Sequence, residues 1–255
     1  MSQIFQQAID ISSVEREKTG VSRCDDFVIK FTPAIQLDKN QKHEIALDQI
    51  SMTYSWHNIT PTYKNNTIRY SHDRGTTWTT VIYPNGMYSY SDLNDYLHQI
   101  MKRNGHVKDD QYDINLLFIL STYKVIIELT NNYQLDLRGT KFGELLGFDP
   151  KIIKSTEEGS KLPNITNSID SLRINTDIIS DSIVGGSFSD TLYVIPTGTL
   201  KRSFPFVREP RHHKFNEISR RTISSMRVYV TDSLRRPVDL NGIDWHMTII
   251  LRSKN

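Results

Sequence analysis

From Phe27 onward the chain is a succession of short runs rich in β-branched and aromatic residues, broken by clusters of Asn, Asp, Gly and Pro. No other feature limits the fold as strongly, because such punctuation is the signature of strands joined by turns. The pattern predicts strands at 26–32, 43–56, 66–71, 77–83, 112–120, 123–130 and 133–137, and then at 170–178, 190–195, 204–208, 222–231 and 245–252. The last two flank a turn-rich segment and read as an antiparallel pair. In 43–56 the two faces trade character near the middle, which predicts a central strand buried on both sides or bulged. One segment carries a helical period: Leu93, Tyr96, Leu97, Ile100 and Met101 recur on one face, with Ser91 placed to cap the start and Gly105 beyond the end. A helix at about 91–104 laid on a sheet follows, with a shorter turn at FGELL before Gly147. The class is all-β with helical insertions.

At 255 residues the chain is long enough for one large β-sandwich or two small ones. Residues 1–22 are polar and read as a flexible arm ordered by a partner. The rest divides into a β-sandwich part at 23–150 containing the helix, a polar connector at 151–168 and a C-terminal β part at 169–255. Cys24 is the single cysteine, which excludes an intrachain disulfide and suits a reducing compartment. The N-terminal residues lack a basic segment followed by an apolar one, and no run of about 18 apolar residues occurs, so neither export by a signal peptide nor a membrane span is expected. The sequons at Asn58, Asn65 and Asn164 read as loop chemistry.

No catalytic, cofactor or metal constellation emerges. His212 and His213 are adjacent and point apart on a strand, and no paired C-x-x-C or H-E-x-x-H occurs. Gly185 and Gly186 are followed by Ser and Phe, with no phosphate-loop Lys behind, and read as a turn. Asp25, Asp26, Asp109 and Asp110 read as solvated loop charge. Trp56, Trp78 and Trp245 offer ring faces that suit sugar stacking, but Trp56 and Trp78 lie in apolar strand patterns that favour burial. An enzyme is therefore not expected, and a carbohydrate- or protein-binding sandwich is the rival of another class.

Charge is uneven. Residues 201–255 hold 12 Lys and Arg against five Asp and Glu, a balance of +7 that leaves −5 for residues 1–200 within a net charge of +2. Arg208, Arg211, Arg220, Arg221, Arg235 and Arg236, with Lys214, fall mostly in inferred loops, where arginine suits contacts to carboxylates of neighbouring subunits or to phosphate. The six arginines are the candidate subunit-interface residues.

Five stretches resemble, in order, the smaller jelly-roll capsid protein of Polinton (Maverick) elements and adintoviruses. They are HEIALDQISMTYSWHNI (43–59), YPNGMYSYSDLNDYLHQI (83–100), FGELLGF (142–148), IDSLRINTDI (169–178) and ISSMRVYVTDSLRRPVDLNGIDWHMTIILR (223–252). The segment SFSDTLYVIPTGTLKRSF (187–204) departs from the family's pattern. The resemblance implies a jelly-roll fold, one elaborated or two abutting, and a structural role in an icosahedral DNA-virus shell. It implies the minor, vertex-forming (penton) protein, with the hexon-type major capsid protein as the alternative. A self-assembled pentamer is favoured over a trimer, with a double jelly-roll major capsid protein as partner, possible contact with packaged DNA and a place in the virion after assembly in host cytoplasm or nucleus.

Overall fold

The third strand shows how the local pattern becomes architecture. Between His43 and Leu47 every residue is buried, whereas beyond Gln49 only alternate positions, Ile50 and Met52, point into the core. The switch comes at Asp48, an extra residue with no partner across the ladder: Thr248 pairs with Gln49 and Ile249 with Leu47. It is the β-bulge that the trading faces of this segment foretell.

The computed structural model describes residues 6–17, 23–166, 169–179, 182–184, 186–198, 200 and 204–254. In chain order the strands are β1 (Gln6–Ser12), β2 (Asp26–Gln36), β3 (Lys42–Thr53), β4 (Thr67–Ser71), β5 (Thr79–Ile82), β6 (Ile114–Ile119), β7 (Lys124–Leu129), β8 (Gln134–Asp136), β9 (Ile152–Ile153) and β10 (Glu157–Glu158). They continue with β11 (Ser171–Thr176), β12 (Ser182–Val184), β13 (Ser187–Ser189), β14 (Thr191–Pro196), β15 (Pro205–Arg208), β16 (Asn216–Glu217), β17 (Thr222–Asp232) and β18 (His246–Lys254). Helix α1 spans Tyr90–Arg103 and α2 spans Phe142–Leu146.

The chain forms two compact units, residues 1–56 with 169–255, and residues 57–168. In the first, one sheet runs β1-β18-β3-β15, with β16 also on β3, and the other runs β14-β11-β17-β2. Taking β15 and β16 as one interrupted strand, eight principal strands pair as first, eighth, third, sixth and fifth, fourth, seventh, second. Each sheet alternates early and late strands, and this is a jelly-roll β-sandwich. The layers meet over Ile45, Ile249 and Leu251 on one side and Ile223 and Met226 on the other.

In the second unit, sheets β5-β4-β8-β9 and β10-β7-β6 share a core with both helices. Leu93, Leu97 and Met101 of α1 are fully buried. The cap is Ser89 rather than Ser91: its hydroxyl accepts from Asp92 N at 3.2 Å while the Asp92 carboxylate accepts from Ser89 N at 2.7 Å, a reciprocal capping box. Gly147 ends α2 at φ 80°, and a Cβ there would collide with the Lys161 carbonyl.

Several expectations change. Residues 57–168 are an insertion between β3 and β11, so the expected 23–150 body is split, because β2 and β3 find their partners in β17 and β18. The expected connector at 151–168 carries β9 and β10, with Ile153 buried. Strands β17 and β18 are not a pair. They lie in different sheets, and the segment between them crosses the sandwich end with Val238, Leu240 and Trp245 buried.

The described part of the expected arm is structural. Residues 6–12 pair with β18 along their whole length, Ile11 is buried, and Ser13 is held between Trp245 and Asp244. The rest of that arm lies outside the described residues. Trp78 is half-buried ahead of β5, its Nε1 donating to the Gly75 carbonyl at 3.1 Å, rather than packed within a strand.

Leu97→Ala is expected to cost about 2 to 5 kcal/mol in denaturant unfolding, and exposed Gln99→Ala about 0.5 kcal/mol or less. Asn94→Ala falls between at about 1 kcal/mol, because Asn94 accepts the Leu116 N–H on the edge of β6. Equal losses at 97 and 99 would contradict the helical phase. Deleting residues 1–15 removes β1 and uncovers β18, so it should lower the unfolding midpoint. An unchanged midpoint would show that β1 adds nothing.

Candidate functional site

The basic C-terminal part is contiguous in sequence but not in space. Arg220 and Arg221 precede β17 and Arg235 and Arg236 follow it, so its 11 residues separate the two pairs by roughly 35 Å at the usual rise per strand residue. Arg208 and Arg211 lie elsewhere again, at the interruption between β15 and β16 on the edge of the β3 sheet. The six candidates therefore make three separate basic positions on the jelly roll, not one patch.

Their surroundings divide them further. Arg220 donates to Asp177 at 2.7 Å. Arg236 donates through Nε to the buried Asp232 at 2.6 Å. Both are used in holding turns. Arg208 lies beside the Phe206 ring at 5.9 Å. Arg211, Arg221 and Arg235 are exposed and form no ion pair among the described residues. The loop carrying Arg211 also holds His213, whose Nε2 lies 2.8 Å from the carboxylate of the bulge residue Asp48. Beside Arg221, an open cavity of about 290 Å³ lies among Lys39, Lys42, Glu217 and Arg220.

Other charged residues are structural in ways that the sequence conceals. Asp25 is buried and accepts two bonds from Arg23, and Asp26 takes a bidentate fork from Arg227, so neither is free loop charge. Glu44 is almost fully buried on β3 between Arg252 and Lys254, each at 3.0 Å. Arg252 also lies over the Phe215 ring. Burial would push the Glu44 carboxyl up, but the bonds from Lys254 and Arg252 outweigh it and hold the group below its ordinary value. Alternation along β18 placed Arg252 opposite Glu44 only once the register was known.

Among the described residues no group of three or more His, Cys, Asp or Glu side chains is positioned to hold a metal ion. No helix among the described residues is long and apolar enough to cross a membrane.

No protein-family model matches the chain, and no curated protein matches it. Solved structures do. The crystal structure of the mavirus penton protein aligns with 98% of this chain and 100% of its own, with a TM-score of 0.56 and 10% sequence identity. The likeness is one of fold. It extends over both units and is not confined to the jelly roll.

Glu44 supplies a pH dependence. Its folded value is depressed, so its contribution is complete above the unfolded value near 4.5 and is lost as pH falls through the folded one. Glu44→Gln should therefore be less stable than the parent at pH 7, with the difference shrinking below about pH 4.5. A difference that stays constant from pH 7 to pH 3 would show that the pair contributes no linkage.

Proposed function

We propose that the chain is a structural capsid protein, the minor vertex (penton) protein of an icosahedral DNA virus or virus-like element. The observation that carries this reading is the end-to-end fold likeness to the mavirus penton protein, covering 98% of this chain. The resemblance of five stretches of the chain to the smaller capsid protein of Polinton elements and adintoviruses supports it from the sequence side. No residue here is assigned a catalytic role. The sandwich serves as a rigid brick whose loops and edges make the contacts between copies.

In this reading five copies close a ring through heterologous contacts, and a double jelly-roll major capsid protein surrounds it. The virion is the place of action. Arg211, Arg221 and Arg235 are the proposed contact residues, since each offers an exposed guanidinium while residues 1–200 supply the opposite balance of charge. Arg208 belongs with them by position. Arg220 and Arg236, already bonded to Asp177 and Asp232, shape the turns that present their neighbours.

Electron microscopy of purified protein, classified by rotational symmetry, should show fivefold rings that dissociate as salt rises while the subunit's unfolding midpoint changes little. Threefold particles would favour the major capsid alternative. A chain that stays monomeric at high concentration, at low salt and with its major capsid partner present would overturn the proposal in favour of a binding module.

A further inference from the structure

The outer face of the β14-β11-β17-β2 sheet carries a cavity of about 250 Å³ whose lining includes two arginines, Arg173 and Arg235. Arg173 stands on β11 opposite Val194 of β14 and Thr231 of β17. Its Nε is buried and has no hydrogen-bond partner among the described residues. Arg235 comes from the turn after β17, which one buried side chain organises: Asp232 accepts the Leu234 N–H at 2.9 Å, the Arg236 N–H at 2.8 Å and Arg236 Nε at 2.6 Å. That turn holds Arg235 at a φ of 62°.

The pairing of these two arginines is unlike that of their neighbours. Arg23, Arg227, Arg236 and Arg252 each have a carboxylate partner. Arg173 and Arg235 form no ion pair among the described residues. Asn175 on the cavity floor is already committed. Asn175 donates to Thr231 Oγ1 at 3.0 Å and to the Tyr229 carbonyl at 3.2 Å, and accepts from Thr191 at 2.8 Å. Those floor groups are spent on one another. A buried guanidinium nitrogen without a partner costs free energy that an acceptor oxygen recovers.

We infer that this cavity is an oxyanion site, in which Arg173 and Arg235 grip a carboxylate or phosphate group from two sides. Asp190 also lines it, the one acidic residue among the described residues of the lining, so the site binds more weakly than two arginines alone would and favours a multiply charged group. Two sources carry this chemistry, a free oxyanion or the carboxylate of an acidic side chain on a second copy of the chain. The site itself does not depend on the capsid reading.

The test is a thermal-shift titration of the full chain with inorganic phosphate against chloride at matched ionic strength. A saturable rise in melting temperature specific to phosphate is expected. Arg173→Gln and, as an exposed loop change that spares the sheet, Arg235→Gln should each weaken it about tenfold or more. Asp190→Asn should tighten it, and Arg103→Gln, an exposed residue in the last turn of α1, should leave it unchanged. Sedimentation separates the sources. With a second copy's carboxylate as occupant, phosphate and Arg173→Gln both dissociate oligomers; with a free ion, neither does. No phosphate-specific shift in the parent, or a shift in Arg173→Gln and Arg235→Gln as large as the parent's at the same phosphate concentration, would overturn the site.

Discussion

The jelly roll depends on β18 being inserted between β1 and β3. Until it arrives, β1 has no partner at all, and β3 has only the short pieces β15 and β16. Its side chains Met247, Ile249 and Leu251 fill the layer between the sheets while Trp245, just before it, closes one end against Phe27 at 5.7 Å and donates to the Cys24 carbonyl at 2.7 Å. Partners more than 200 residues apart must therefore meet, as Thr248 and Asp10 do across 238 positions. Such non-local pairing makes for slow folding.

Charge follows the same logic. The buried carboxylates are each placed where they fasten chain segments: Asp25 to Arg23, Asp232 to its own turn, Glu44 across β3 and β18, and in the second unit Asp136 to Arg138 and Arg69. Burial pushes the Asp136 carboxyl up, yet bonds from Arg138 and Arg69 leave it below its ordinary value. Once these pairs are assigned, the exposed arginines stand out as groups with something left to bind.

What could be read in the sequence was what has a period. The trading faces of 43–56, the helical recurrence of Leu93, Leu97 and Met101, and the strands of the β6–β7 hairpin all appear close to where the residues place them. Two-residue strands such as β9, β10 and β16 contain no period to detect. β1 was missed because only Ile11 of its seven residues is buried, leaving the segment polar overall. Partner choice was hidden more deeply: β17 and β18 are sequence neighbours with a turn-rich link, and nothing local says that the link crosses between layers. Arg173 escaped notice for a related reason, since a lone arginine in an apolar strand gains meaning only when Arg235 is brought beside it by the topology.

The interruption between β15 and β16 has a consequence for how the chain tolerates change. Both pieces are pinned in register to β3, at Thr53 to Ile50 and at Ile45 to Glu44, so residues 209–215 are anchored at both ends by ladders that do not depend on the loop's own length. Doubling that loop would cost only about 0.6 kcal/mol in closure entropy. New sequence inserted there is therefore expected to leave the register of β15 and β16 on β3 unchanged.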